Sequence, residues 1–269
     1  MADYRTKIDE QAGSGMRFEL YQFRRKSYAL GRQSATAASP AGAGAGTGAA
    51  AAPVIHVHPP VETSARQVRI VLDGGAALLE PGALQYAHGA LQVDVQKNER
   101  GGFLARAIAS AGTGESAYAT RFAGRGEVWT EASAKHFILA RMDGPQDALI
   151  LDDGAFYACD ANIAVSTHVH RSVQGIMSGN GLMQPKLQGA GAFVVEAPVP
   201  ADEVEVIELD GSGELIVDGD LMLMYSISLQ VELRPLVRGL RNAMRSGEGL
   251  VFVFHGRGTV WLTPTMRLG

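Results

Sequence analysis

The sequence predicts an all-β protein made of three repeated antiparallel β-sandwich modules in a pseudo-threefold arrangement, with short helical inserts. Three observations carry that expectation. Runs such as Leu91-Gln92-Val93-Asp94-Val95 and Leu229-Gln230-Val231-Glu232-Leu233 alternate apolar with polar residues, the period of a half-buried strand. Glycine supplies 33 of the 269 residues, well above the usual ~7%, and it punctuates those runs together with acidic residues. One unit of three glycine-bearing elements occurs three times in the same order.

Composition narrows the class further. A single cysteine makes no internal disulfide. A net charge of −4 lacks the basic excess of a dedicated nucleic-acid binder, so nucleic acid is not the expected partner. The apolar fraction of 46% is too high for wholesale disorder. Met1 to Glu10 carries Asp3, Lys7, Asp9 and Glu10 with no apolar run behind it, unlike a signal or transit peptide. No run approaches ~18 apolar residues. The expected compartment is therefore the cytoplasm.

From the N-terminus, residues 1–33 form a mixed polar segment. Its one aromatic run, Phe18-Glu19-Leu20-Tyr21-Gln22-Phe23, suits a strand. Residues 34–66 read as a flexible linker rich in Ala, Gly and Pro. Side chains that small bury too little surface to offset backbone ordering. No Lys-Ser/Thr pair follows these glycines, so they are not a phosphate loop. The threefold β domain is expected over residues 67–269, with repeats at about 67–132, 133–197 and 198–265.

The first repeated element is an acidic turn carrying Gly82, Gly154 or Gly219. The second is a tight turn carrying Gly114, Gly179 or Gly247. The third is a Gly-x-Gly unit: Gly124/Gly126, Gly189/Gly191 and Gly256/Gly258, spaced by 65 and then 67 positions. Each Gly-x-Gly has a large apolar residue two positions before it (Phe122, Leu187, Phe254) and another two positions after it (Val128, Phe193, Val260). The only tryptophans, Trp129 and Trp261, occupy the same repeat position. Glycine adopts φ > 0 without steric cost, so the Gly-x-Gly units are read as hairpin turns joining antiparallel strands. Repetition also assigns the carboxylates of the first element to turn formation, because catalysis does not need three copies. Pro185 lies within a strand of the second repeat, and a residue without a backbone N–H belongs at an edge or a bulge.

Two groups of residues could carry chemistry. His168 and His170 sit at alternate positions of one strand and share a face. With a third ligand from His136 or Cys159 they would form a zinc site; the competing reading is of exposed strand histidines with no metal, and of Cys159 as a small buried hydrophobe. His56-Val57-His58 with Glu62 imitates the start of a cupin metal site, but the required continuation is missing. Arg234, Arg238, Arg241 and Arg245 are spaced by four, three and four residues, one face of a short amphipathic helix. That face would meet anionic lipid, RNA or an acidic protein, or simply solvent. Pro235 and Gly239 weaken such a helix. No nucleophile elbow, Walker loop, zincin motif or dinucleotide fingerprint occurs.

The runs Gly101-Gly102-Phe103-Leu104, Thr113-Gly114-Glu115-Ser116, Leu151-Asp152-Asp153-Gly154-Ala155-Phe156, Ser246-Gly247-Glu248-Gly249-Leu250-Val251 and Gly256-Arg257-Gly258-Thr259-Val260-Trp261-Leu262 resemble the Altered Inheritance of Mitochondria protein 24 family. The resemblance covers roughly residues 67–265. It implies a fold like that of the tryptophan RNA-binding attenuation protein, in which antiparallel β modules assemble into rings and other oligomers. It brings no catalytic residues and no cofactor, and likeness of fold does not transfer RNA binding. The expectation is a non-enzymatic, oligomeric scaffold or interaction protein without a cofactor, pairing with copies of itself or a protein partner. Metal or small-molecule binding, at His168/His170 or in grooves between the repeats, is the alternative, and peripheral membrane or RNA contact through the arginine stripe is a second.

Overall fold

The structure is a computed structural model and describes residues 5–27, 30–32, 55–57, 61–96, 119–170, 182–235 and 250–265. The described residues are all-β. The strands are β1 (Arg5–Ala12), β2 (Met16–Ser27), β3 (Leu30–Arg32), β4 (Ile55–Val57), β5 (Val61–Leu79), β6 (Leu84–Gln96), β7 (Ala119–Thr130), β8 (His136–Met142) and β9 (Ala148–Leu151). They continue with β10 (Phe156–Asp160), β11 (Ala164–His170), β12 (Leu182–Gln188), β13 (Gly191–Ala197), β14 (Glu205–Asp218), β15 (Met222–Ser226), β16 (Gln230–Pro235) and β17 (Leu250–Leu262). The helical content among the described residues is two one-turn 3-10 segments, Ala201–Glu203 and Gly219–Leu221.

The strands group into two main sheets rather than three free-standing sandwiches. The first runs β1-β2-β5-β10-β13-β8, with β7 on the other edge of β5 and β6 beyond β7. The second runs β11-β12-β9-β15-β17-β14, with β16 beside β17. The middle of the chain is divided between them: β8, β10 and β13 join the first sheet, and β9, β11 and β12 join the second. Around each Gly-x-Gly the same neighbours recur. They are β6-β7-β5, then β10-β13-β8 with β11-β12-β9, then β15 and β16 on one edge of β17 with β14 on the other.

The glycine pairs do not make hairpin turns. Gly124 to Gly126 and Gly256 to Gly258 lie inside the continuous strands β7 and β17, and Gly189 to Gly191 is the bend between β12 and β13. The flanking residues on each side are therefore successive parts of one strand path, not antiparallel partners. The physical reason for glycine is close approach. A Cβ on Gly126 would lie 3.0 Å from the Cα of Gly89 and would strike the carbonyl of His88. One on Gly191 would lie 2.9 Å from Cβ of Asp160, and one on Gly258 would lie 2.9 Å from the Leu229 and Ser228 side chains. In each case the bend of the neighbouring strand presses on the glycine.

The first elements sit between β5 and β6 at Gly82, between β9 and β10 at Gly154, and between β14 and β15 at Gly219, where the Asp218 carboxylate accepts from the Asp220 N–H at 3.2 Å. Gly114, Gly179 and Gly247 lie outside the described residues.

The N-terminal segment belongs to the first sheet. β2 pairs with β5 without a break from Met16↔Leu72 to Ser27↔Val61. β5 thus begins at Val61, inside the stretch read as linker. Phe18 and Leu20 enter the same core as Val68, Ile70, Phe122 and Val128, each apolar side chain contributing about 1.5–3 kcal/mol on full burial. A second cluster, containing Leu78, Phe156, Cys159 and Phe193, joins residues of both sheets. A third gathers Ile150, Tyr225, Phe252, Phe254 and Val260 of the second sheet.

Candidate functional site

His168 and His170 come together on β11. Their rings are 4.6 Å apart at 78°. Neither is the exposed strand histidine expected: His168 is half-buried and His170 is buried under β12 and β15 partners, its Nε2 2.8 Å from Gln184 Oε1 and 2.9 Å from the Tyr225 hydroxyl. Its ring also meets Phe252 edge-on at 5.9 Å. Two proton arrangements satisfy that nitrogen: an Nε2–H shared by the two oxygens, or a bare Nε2 accepting from Tyr225 O–H with the Gln184 amide turned round. Burial favours the neutral imidazole in either arrangement. Burial, ahead of the neighbouring His168, holds the His170 pKa below the ordinary histidine value despite the Gln184 hydrogen bond. Burial and then Lys186 lower His168, and burial pushes the Tyr225 phenol up.

The expected third ligands do not join the pair. Cys159 is on β10 of the first sheet, wholly buried among apolar residues, and desolvation pushes its thiol pKa up. His136 begins β8 and pairs in register with Ala197. Among the described residues no group of three His, Cys, Asp or Glu is placed to hold a metal. His170, Gln184 and Tyr225 instead form a closed polar node tying together β11, β12 and β15.

Arg234 does not start a helix. It lies on β16 opposite Val251 of β17, and its guanidinium reaches both carboxylate oxygens of Glu214 at 3.3 Å. Strand pairing wins because Val231 and Leu233 alternate onto the third core cluster. Arg238, Arg241 and Arg245 lie outside the described residues. The side chain of His56, on β4, and all of His58 do too. Pro185 pairs with Thr167 of β11, one residue short of the Lys186–Gln188 stretch that β9 pairs, so its missing N–H breaks no bond to β9.

The outer face of the first sheet carries a charged and aromatic cluster that motif reading missed. Trp129 on β7 stands opposite Arg69 of β5 and Tyr86 of β6. The Arg5 guanidinium lies 4.4 Å from its ring centroid and that of Arg69 5.4 Å, both cation–π distances. Tyr21 packs at 5.1 Å and Tyr86 stacks at 6.1 Å. The Trp129 indole N–H has no partner among the described residues. Beside it, the buried Glu19 carboxylate accepts from Arg17 at 2.8 Å, Tyr21 at 3.0 Å and Arg69 at 3.0 Å. Burial alone raises the Glu19 pKa, but these hydrogen bonds and the Arg69 charge together hold it below the usual carboxylate value. The available signal was alternation: Arg17, Glu19 and Tyr21 interleave with the core residues Phe18 and Leu20.

Next to this cluster, β6 forms a long edge. Among the described residues its one strand partner is β7. Leu84 and Tyr86 are each 41% exposed, Val93 is 56% and Val95 is 59% exposed. These apolar groups and the strand's outward backbone can add a further strand.

The fold and this surface define an antiparallel β protein with an apolar-bearing edge that is unpaired among the described residues. The sequence matches the family described as Mitochondrial biogenesis AIM24 over residues 61–265, and the chain belongs to that family. It is 24% identical over 196 residues to an uncharacterised protein of Streptococcus pyogenes serotype M6, covering 70% of this chain and 77% of that one. A crystal structure of a Streptococcus pyogenes protein, solved in a structural genomics programme, aligns with a TM-score of 0.55 at 22% identity. It covers 75% of this chain and 89% of the other, a likeness of fold. Among the described residues no helix is long and apolar enough to cross a membrane.

Proposed function

We propose that this chain is a non-enzymatic, oligomeric scaffold that binds protein partners, itself included, through its exposed sheet edges. The observation that supports this reading is the β6 edge, where Val93 and Val95 stand more than half exposed on a strand with one edge unpaired among the described residues. Exposed apolar edges invite strand addition, and proteins that avoid it commonly place lysine there. The reading places the protein in the cytoplasm with no cofactor. The test is capture of the tagged full chain from native lysate, run beside a Val93→Lys/Val95→Lys variant. Proteins recovered at fixed stoichiometry, and lost from the variant, are the expected result. A chain recovered alone and monomeric by light scattering, or an identical capture by the variant, overturns the reading.

A further inference from the structure

The two internal junctions between successive repeats use one register. At the first, Leu79, Leu78 and Ala77 of β5 pair with Ala158, Cys159 and Asp160 of β10. At the second, Leu151, Ile150 and Leu149 of β9 pair with Met224, Tyr225 and Ser226 of β15. The positions correspond because each set is fixed against its own Gly-x-Gly strand. Leu79, Leu78 and Ala77 face residues 120–122, and Ile150 and Leu149 face 186 and 187. Ala158 and Met224 face Val194 and Trp261, each three residues beyond its Gly-x-Gly.

The same alignment defines a third pair of surfaces. Val217, Ile216 and Leu215 of β14 face Phe252, Val253 and Phe254 of β17, so they match Leu79, Leu78 and Ala77. Tyr86 and Ala87 of β6 face Trp129 and Val128, so Tyr86, Ala87 and His88 match Ala158, Cys159 and Asp160. These two edges are not joined. Among the described residues β14 pairs only with β17, and β6 only with β7. Burial records the difference. Leu78 and Ile150 are buried, but their counterpart Ile216 is 43% exposed. Ala158 and Met224 are buried, but Tyr86 is 41% exposed. Ala87 and His88 are exposed where Cys159 and Asp160 are buried.

We infer that the β14 edge of one copy docks on the β6 edge of a second copy of this chain. The register is antiparallel, with Val217 opposite Tyr86, Ile216 opposite Ala87 and Leu215 opposite His88. The interface repeats, between chains, the junction made twice within each chain. It joins two unlike surfaces, so it is head-to-tail. It rests on the scaffold reading only in taking sheet edges as contact surfaces, and it uses a different half of β6 from Val93 and Val95.

The test is cross-linking with a short bis-maleimide, which the buried Cys159 escapes. A mixture of Ile216→Cys and Ala87→Cys chains is expected to give covalent dimers and nothing larger. The Ile216→Cys/Ala87→Cys double variant is expected to give a ladder of oligomers. An Ile216→Lys variant, whose change is at an exposed position, is expected to show a lower mass by light scattering with an unchanged circular dichroism spectrum. Cross-links confined to one chain in the double variant, dimers from Ile216→Cys alone, or no cross-link in the mixture would each overturn the inference. If they do so while Val93→Lys/Val95→Lys still abolishes partner capture, the scaffold reading stands without it.

Discussion

At the scale of single residues, the most consequential side chains are polar ones held inside. His170 is the clearest. Burial lowers its pKa in the fold, while the unfolded ring keeps the ordinary value of 6.5. As pH falls below that value, the unfolded state takes up a proton that the folded state resists, so stability falls with acid and is unaffected at higher pH. Melting curves should show Tm dropping between about pH 7.5 and 5.5, with a smaller drop in His170→Gln. His168 and His136 also have lowered pKa values led by burial, so a residual drop is expected in the variant. Equal drops would mean that the His170 node is not part of the acid response. Glu19 acts in the same direction, at the lower pH where carboxylates titrate. Its depressed pKa makes the Arg17, Tyr21 and Arg69 contacts a source of stability above the unfolded carboxylate value, lost as pH falls through the folded one.

At the scale of elements, much was readable and one central feature was misread. Alternation placed β6 and β16 at Leu91–Val95 and Val231–Leu233, and the aromatic run at Phe18–Phe23 lies within β2. The Gly-x-Gly units were found by repetition but assigned to the wrong geometry. A hairpin turn and a strand crossed closely by a bent neighbour both demand glycine, and one sequence does not show which neighbour passes there. Asp73-Gly74, Asp143-Gly144 and Asp210-Gly211 recur at 70 and 67 positions, and each marks a break in its strand path. β5 shifts register between Asp73 and Ala76, β8 gives way to β9 across Gly144, and β14 shifts between Asp210 and Glu214. The His168–His170 pair was legible from spacing, but Gln184 and Tyr225, which satisfy it, are 14 and 55 residues from His170, and spacing carries no trace of them. The close approach at Gly126 gives a direct prediction. Gly126→Ala forces a Cβ against backbone that has no flexible end to yield, at a cost of about 2 kcal/mol or more. Urea unfolding should show a lower midpoint with an unchanged m-value; a midpoint equal to that of the parent chain would refute the crowding.

At the scale of the whole molecule, the N-terminal residues decide whether the first sheet closes its core. β2 covers one edge of β5 over its full paired length and carries Phe18 and Leu20 into the cluster with Val68 and Ile70. Losing several fully buried side chains of that size removes a stabilisation comparable with a typical total of about 5–15 kcal/mol. A chain lacking residues 1–27 is therefore expected to lose its cooperative thermal transition and to bind a hydrophobic dye. A sharp transition near that of the full chain would show that β2 is dispensable. That contribution is hidden in the sequence because the low-complexity stretch separates β2 from its partner, and sequence distance conceals the longest unbroken pairing in the sheet.

The division of the middle strands between the two sheets has its own consequence for how such a protein is inherited and altered. Cutting the chain within β8, β9, β10, β12 or β13 severs strands that the second core cluster draws from both sheets. Excising that third altogether leaves Leu78 of β5 and Tyr225 of β15 without the strands that cover them. The chain thus resembles interlaced fingers more than beads on a string. Its thirds carry similar patterns of glycine, yet none is a spare part, and length changes are tolerated best where strands are joined rather than where they are shared.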